Sequence, residues 1–144
     1  MNISAIVKSD CGKLAALHAT AFPKGWSAAE LARLSGERGV IALTSGAPDP
    51  DGFILVRMVS DEAEVLTLAT HPAHRRSGVG QALLAQSLIV CEQFGIKRVL
   101  LEVSRDNDAA IQLYFSHGFR ESGLRKAYYA DGSDAIVMEK TLGE

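Results

Sequence analysis

The sequence is poor in the residues that build disulfide frameworks and metal centres. It contains only two cysteines, Cys11 and Cys91, which lie far apart and without metal-ligand spacing. Its four histidines are scattered, and no HExxH pattern occurs. Neither a disulfide-stapled domain nor a zinc site is therefore expected. We interpret both cysteines as thiols used for packing and expect no metal cofactor.

Long apolar runs and an excess of positive charge are also missing. No stretch reaches the roughly 18 uninterrupted apolar residues that a membrane span needs, and the first residues carry no basic signal segment. Fifteen Lys and Arg residues against 17 Asp and Glu residues give a net charge of −2. This balance disfavours the broad basic surface that binds a nucleic-acid backbone. We expect a cytoplasmic protein that binds neither membranes nor nucleic acid directly.

The sequence that remains predicts one mixed α/β domain over residues 1–144. A chain of 144 residues with 47% hydrophobic content suffices for one substantial core and is too short for two ordinary domains. Apolar periodicity predicts strands at 3–7, 40–44, 53–59, 64–70, 99–103, 119–127 and 135–140, and helices at 10–21, 27–36, 78–94 and 108–116. The order is βααβββαβαββ. Its central βαβ unit implies one parallel strand pair inside a mostly antiparallel sheet.

The local signals at the helix ends support these boundaries. Asp10 has the character of a cap for the first helix. Ser27 and Glu30 have the spacing of a capping box, which predicts that the second helix begins at Ser27. Gly95 and Gly118 stand where the third and fourth helices are expected to end.

A glycine-containing loop before the third helix is the most informative segment. It reads Arg75-Arg76-Ser77-Gly78-Val79-Gly80. Glycines let the backbone approach an anion, while the free amides of the first helical turn and the helix dipole favour its charge. The pattern therefore predicts a phosphate or pyrophosphate cradle. A P-loop would need a Gly-Lys-Ser/Thr ending, and a dinucleotide fingerprint would need a glycine in place of Leu83. A glycine-rich helix start that serves only packing is the structural alternative.

Two carboxylates are candidates for proton transfer. Glu102 lies in a strand that we expect near the sheet centre, where a charged group needs a reason. Because an α-amine has a pKa near ~8, a carboxylate can take its proton directly or through water as it attacks a thioester. A glutamate that is paired with a basic side chain is the structural alternative. A resemblance to a known enzyme family, carried by the motifs below, adds Glu64 on the preceding strand as the second candidate for the base or for a ligand of the acceptor amine.

Tyr114 and Asn107 complete the candidate site. Seven residues separate them, so the two lie on nearly the same face of a helix. A phenol with a pKa near ~10 can give a proton or a hydrogen bond to a thiolate whose parent thiol has a pKa near ~8.5. A tyrosine in the core of an amphipathic helix is the alternative.

These motifs resemble those of the GNAT acetyltransferases. The cradle matches their Arg-x-x-Gly-x-Gly loop, and the second signature reads Asn107-x-x-Ala110-x-x-x-Tyr114-x-x-x-Gly118-Phe119. The tail Tyr128-Tyr129-Ala130-Asp131-Gly132-Ser133-Asp134-Ala135-Ile136-Val137-Met138 looks like that of the RimI-type N-terminal protein acetyltransferases. Ala21-Phe22-Pro23 followed by Trp26-Ser27 is similar to their first substrate loop. The resemblance spans nearly the whole chain.

The resemblance implies a GNAT fold, acetyl-CoA as the acyl donor, Glu102 as general base and Tyr114 as general acid. The residues that it implies for cofactor binding are Leu68, Ala69, Thr70, Arg75, Arg76, Ser77, Gly78, Val79, Gly80, Gln81 and Asn107. Those that it implies for acceptor binding are Trp26, Glu64, Tyr128 and Tyr129. For Trp26, an aromatic anchor between the first two helices is an equal alternative.

The expected activity is acetylation of a protein N-terminus by direct attack on the thioester, without an acyl-enzyme. The resemblance suggests a ribosomal-protein N-terminal alanine as the acceptor. Two departures from the family, Lys24-Gly25 before Trp26 and Ser104 after the central strand, bear on the acceptor alone. An acetyltransferase of small-molecule amines and a non-catalytic acyl-CoA-binding module are the alternatives. The sequence predicts no oligomeric state.

Overall fold

The computed structural model describes residues 2–22, 25–74, 78–129 and 131–143. In these residues the elements follow the predicted order βααβββαβαββ. The strands are β1 Ile3–Ala5, β2 Val40–Ser45, β3 Gly52–Val59, β4 Glu62–Thr70, β5 Arg98–Ser104, β6 Arg120–Arg125 and β7 Ala135–Thr141. The helices are α1 Cys11–Ala21, α2 Ala28–Ser35, α3 Val79–Gln93 and α4 Asp108–Ser116. Short 3₁₀ turns at Lys8–Asp10 and Pro72–His74 precede α1 and α3.

The strands form one sheet in the order β1-β2-β3-β4-β5-β7-β6. All neighbours are antiparallel except β4 and β5, which α3 connects as the crossover helix. This arrangement confirms the predicted mixed α/β fold with its antiparallel meander and central parallel unit.

The two parallel strands separate after a short contact. The register pairs Glu62 with Arg98, Ala63 with Val99 and Glu64 with Leu100. Among the described residues, no further pair joins the two strands after Glu64. β4 nevertheless continues to Thr70, and β5 to Ser104. A bulge in β4 lies close to this point, because Val65 and Thr67 pair with neighbouring residues of β3 and Leu66 is passed over. The sheet therefore opens between β4 and β5, and the facing edge of β4 is left for other partners.

Helices cover the two faces of the sheet unequally. In β3, Phe53 and Leu55 pack with α1 and α2, while Ile54 and Val56 pack with α3, and all four are almost fully buried. Both faces are thus covered at the sheet centre. In β5 the residues Val99, Leu101 and Val103 are buried against the α3 and α4 side, but Leu100, Glu102 and Ser104 are only half-buried. One face of β5 is therefore partly open.

The element boundaries follow from local hydrogen bonds. The Ser27 hydroxyl accepts the Glu30 N–H at 3.1 Å, and the Glu30 carboxylate accepts the Ser27 N–H at 3.4 Å, so the predicted capping box is confirmed. The prediction that Asp10 caps α1 is wrong: its carboxylate instead accepts the Val7 N–H at 3.0 Å. That bond closes the 3₁₀ turn and ends β1 at Ala5, two residues before the predicted end.

Candidate active site

The predicted cradle lies at the start of α3, next to the end of β4. Arg75, Arg76 and Ser77 lie outside the described residues. Gly78 precedes α3 with φ of 85°, a left-handed conformation that favours glycine. The first helical bond runs from the Ala82 N–H to the Gly78 carbonyl, so the helix itself makes no use of the amides of the three residues between them.

Gly80 is a glycine that the fold does not require. A Cβ there would have Leu113 Cδ2 and Thr70 Oγ1 as its nearest neighbours, both at 3.5 Å, which is ordinary van der Waals contact. A glycine that packing does not require, next to amides that the helix leaves free, is the arrangement in which a phosphate group can approach the backbone. Pyrophosphate binding by this turn stays a prediction.

The predicted cofactor residues of β4 lie beside this cradle. Leu68, Ala69 and Thr70 form the end of β4, past the point where its pairing with β5 stops. Gly52 of β3 allows β4 and α3 to approach closely, because a Cβ at Gly52 would lie only 2.6 Å from Val79 Cγ1 and 3.0 Å from the Ala69 carbonyl oxygen. The structure thus brings these β4 residues and Gly78, Val79, Gly80 and Gln81 to one end of the opening between β4 and β5.

Glu102 lies on the open face of β5 and forms an ion pair. Its Oε1 is 3.1 Å from Nε of Arg125 on β6, and 24% of the Glu102 side chain is exposed. The paired glutamate considered as an alternative is therefore present. Because the Arg125 side chain is 56% exposed, solvent screens the pair. Glu64 lies exposed on β4 opposite Leu100, on the same face as Glu102.

Tyr114 lies on the other side of β5, buried in the core beneath α4. It is 6% exposed, and its ring meets Phe119 edge to face with centroids 5.6 Å apart. Burial raises the pKa of the Tyr114 phenol, and Tyr129 adds to the shift. Asn107 caps α4, because its Oδ1 accepts the Ala110 N–H at 3.2 Å. Its predicted contact with the cofactor stays a prediction.

Tyr129 links the predicted base and the predicted acid. Burial raises the pKa of Tyr129, and the charge of Glu102 adds to that rise. Since Tyr129 also acts on Tyr114, the three groups form one electrostatic cluster. Tyr128 meets Tyr129 edge to face at 5.2 Å, and the Arg125 guanidinium lies 5.3 Å from the centroid of the Tyr128 ring. The tyrosine tail therefore forms one wall beside Glu102.

The loop between β6 and β7 that carries these tyrosines is held by Asp134. Its Oδ1 accepts the Ala127 N–H at 2.9 Å, and its Oδ2 accepts from Arg105 Nη1 at 3.3 Å. These bonds lower the pKa of Asp134, and the bond from the Ala127 N–H has the largest effect. Sequence reasoning did not single out Asp134 or Arg125. The positive φ of Ala127, 49°, marks the turn that Asp134 stabilises, but no local pattern reveals it.

Trp26 lies just before α2 and packs as an anchor. Its ring stacks on that of His18 in α1 with centroids 5.1 Å apart, and its backbone N–H donates to His18 Nδ1 at 3.1 Å. These contacts favour the anchor alternative, while a direct contact with the acceptor stays a prediction. Pro23 and Lys24 of the same loop lie outside the described residues.

Neither cysteine is available as a nucleophile. Cys11 and Cys91 are both buried and form no disulfide. Burial raises the pKa of Cys91 to about 11 and also raises that of Cys11. Both therefore stay protonated thiols at neutral pH.

Two further features concern metals and membranes. No cluster of three or more His, Cys, Asp or Glu side chains that could hold a metal ion occurs among the described residues. In the same part of the chain, no helix has the length and hydrophobicity to cross a membrane.

A family model for the acetyltransferase (GNAT) family matches residues 13–119, and the chain belongs to that family. This membership confirms the predicted GNAT fold and enzyme class: the protein is an N-acetyltransferase with acetyl-CoA as donor. Among named relatives, the ribosomal protein bS18-alanine N-acetyltransferase of Escherichia coli K12 is 38% identical over 123 residues, which cover 83% of this chain and 82% of that protein.

Solved structures agree with this assignment. The crystal structure of the ribosomal-protein-S18-alanine N-acetyltransferase from Escherichia coli matches with a TM-score of 0.90 and 31% identity, covering 99% of this chain and 94% of that one. Ard1 from Thermoplasma volcanium matches with a TM-score of 0.87 and 30% identity, covering 99% and 98%. The resemblance to the RimI-type acetyltransferases is thereby confirmed.

Proposed function

We propose that this enzyme acetylates the free α-amine of a protein N-terminus, and that its acceptor is a ribosomal protein beginning with alanine. The similarity to bS18-alanine N-acetyltransferases supports the acceptor. A cytoplasmic site of action is part of this proposal, because ribosomal proteins are synthesised there. The observation that carries the chemistry is Glu102 on the open face of β5, 24% exposed and 3.1 Å from the exposed Arg125, beside the wall formed by Tyr128 and Tyr129.

Glu102 is the proposed base. Acetyl-CoA supplies an acetyl thioester, and the acceptor supplies an amine that is mostly protonated at neutral pH because its pKa is near ~8. Glu102 takes a proton from this ammonium, directly or through water, and passes it to solvent, so that the neutral amine attacks the thioester. As the new C–N bond forms and the C–S bond breaks, the nitrogen loses a second proton, and the leaving thiolate takes up one proton to become the CoA thiol. When the amine arrives, the ion pair between Glu102 and Arg125 must weaken or break. This costs little free energy because Arg125 is exposed and solvent screens the pair.

Tyr114 is the proposed acid, and its burial specifies how it acts. With its pKa raised above the ordinary value near ~10, the phenol keeps its proton at neutral pH. It therefore stabilises the negative charge that develops on sulfur by donating a hydrogen bond, in a site that excludes water.

Direct attack is favoured over an acyl-enzyme. Cys11 and Cys91 are buried protonated thiols, and neither belongs to the cluster around Glu102. Neither cysteine can therefore form a covalent acetyl-enzyme, and the acetyl group moves directly from acetyl-CoA to the acceptor amine.

The test is CoA release with matched peptides. One peptide begins with a free alanine, and its twin has a blocked N-terminus and an internal lysine. Turnover with the first peptide alone supports Nα-acetylation. Turnover with the lysine twin, or with small-molecule amines alone, overturns the proposed acceptor. Acetyl-CoA binding without turnover on any amine favours a regulatory acyl-CoA-binding module.

A further inference from the structure

A buried histidine outside the proposed catalytic cluster contacts Phe22 at the end of α1 and Trp26 just before α2. His18 lies on the inner face of α1 and is 3% exposed. The backbone N–H of Trp26 donates to the His18 Nδ1 at 3.1 Å, so Nδ1 carries no proton. Nε2 therefore carries it and donates to Thr67 Oγ1, 3.0 Å away. The contacts specify a neutral ring with one tautomer, which joins Trp26 to β4.

The same ring stacks on aromatic residues from both ends of the loop. Phe22, which follows α1, lies 4.4 Å from the His18 centroid at an interplanar angle of 24°. Trp26, which precedes the α2 cap, lies at 5.1 Å and 21°. Phe53 of β3 adds a tilted contact at 5.9 Å. One imidazole therefore fixes the points at which the loop leaves α1 and approaches α2.

The residues on either side of Trp26, Gly25 and Ser27, are also held by contacts. A Cβ at Gly25 would lie 3.1 Å from Ala19 Cα, so the loop backbone rests directly on α1. The next amide after Trp26, that of Ser27, is held by the Glu30 carboxylate. The bond through Nδ1 is thus the polar contact that ties this segment to the sheet, by way of Thr67.

The bond to Thr67 connects His18 to the part of β4 that lies beside the proposed cofactor site. It is 7% exposed in β4, directly after the bulge at Leu66 and directly before Leu68. Leu68 begins the segment predicted to meet acetyl-CoA. The His18 ring therefore sets the distance between the loop of Trp26 and the strand along which the acetyl donor is expected.

We propose that His18 is a positioning residue: its neutral ring holds residues 25–27 against β4 in the form that binds the acceptor, and protonation of the ring releases this segment. The proposal rests on the proposed function for one point, that this segment forms a wall of the acceptor groove. Protonation would place an N–H at Nδ1 facing the Trp26 N–H, and two donors cannot bond each other.

The surroundings of the ring determine the direction of its pH response. Burial lowers the pKa of His18, and the smaller opposing influence is the charge of Glu30 on α2. The contacts from β3 and β4, Phe53 and Thr67, do not titrate in this range. A lowered pKa means that the held loop is fully present above the ordinary value near ~6.5 and is lost as the pH falls through the lower folded value.

The first test follows the loop without any substrate. Trp26 is the only tryptophan of the chain, so its fluorescence reports on the stacked ring directly. We expect one reversible emission change as the pH falls from about 7.5 to about 4.5, with its midpoint below ~6.5. His18→Asn should abolish it, because the amide oxygen can accept the Trp26 N–H but does not titrate. A transition that persists in His18→Asn would overturn the proposal.

The second test separates the acceptor from the cofactor. His18→Leu removes both bonds of the ring, and we expect the KM of the acceptor peptide to rise about tenfold or more while acetyl-CoA affinity changes less than about twofold. His18→Asn should recover most of the peptide KM. His117→Asn is the matched control, since the His117 ring contacts the Leu113 carbonyl at the end of α4. Parallel loss of peptide and acetyl-CoA binding in His18→Leu would indicate general loosening and refute the assigned role.

The two proposals fail in different ways. If no peptide is acetylated, the proposed acceptor is wrong, while the Trp26 titration still decides whether His18 holds the loop. If peptides are acetylated but Trp26 emission does not respond to pH through His18, the proposed function stands and the positioning role of His18 falls.

Discussion

Replacement of Gly80 by alanine separates the demands of the fold from those of the cofactor. Gly80 is the second residue of α3, and an added Cβ would meet its nearest neighbours at 3.5 Å, without a clash. Glycine in a helix is less stable than alanine by roughly 0.5–1 kcal/mol. Because the position is in the first turn, we expect Gly80→Ala to raise the free energy of unfolding by about 0.5 kcal/mol, or ~2 °C in Tm.

Acetyl-CoA affinity should change in the opposite direction. Each Cα–Cβ bond of a helix tilts toward its N-terminus, so we expect the new methyl group, beside Thr70 and Leu113, to hinder the approach of a phosphate to the free amides. The loss of one hydrogen bond from an amide to a charged phosphate oxygen costs roughly 1.5–3 kcal/mol. That cost corresponds to acetyl-CoA binding about 10- to 100-fold more weakly.

The assay is calorimetric titration with acetyl-CoA, paired with denaturant unfolding of the same preparation. Gly12→Ala is the matched control, since Gly12 is the second residue of α1 and a Cβ there would have no neighbour within 4 Å. It should gain the same stability and keep its acetyl-CoA affinity. If Gly80→Ala binds acetyl-CoA as tightly as the parent, the contact between this turn and the pyrophosphate is refuted. A loss of stability would show instead that the fold requires the glycine.

Two further predictions concern the chemistry. Glu102→Gln should lower kcat by roughly 10²- to 10⁴-fold and leave acetyl-CoA affinity unchanged, as steady-state kinetics and titration would measure; equal loss of both would contradict its role as base. A thiol reagent at neutral pH should label neither Cys11 nor Cys91 until denaturant unfolds the chain, because both thiols are buried and their pKa values are raised. Rapid labelling of the folded enzyme, followed by mass spectrometry, would show that expectation to be wrong.

Local signals predicted much of the fold. The capping box of Ser27 and Glu30 identified the start of α2, and α4 has the bounds expected from its periodicity, 108–116. The error at Asp10 arose because a carboxylate before a helix has two possible partners. In this structure the Asp10 carboxylate accepts the N–H of Val7, which precedes it in the chain. Sequence periodicity does not distinguish this arrangement from a helix cap.

The start of α3 after Gly78 could be predicted because its signal is continuous in sequence, while the role of this turn as a cradle stays a prediction. The supporting groups of the candidate site could not be predicted, since their partners are distant. His18 bonds Thr67 from 49 residues away, and Glu102 meets Arg125 from a strand that follows α4. The residue types at these positions are ordinary for a helix and a strand, so only the packed chain shows what they contact.

β4 and β5 separate after three residue pairs, and the position of this separation in the sheet also affects the tendency of the protein to aggregate. A strand with unpaired N–H and C=O groups is a template on which another chain can add, and proteins usually protect such edges at the rim of a sheet. Here the unpaired segment of β4 faces β5 in the interior of the sheet order and is not at the rim, where a strand of another molecule would add. The enzyme can therefore keep hydrogen-bonding groups ready for a narrow, extended ligand without offering them to another copy of itself.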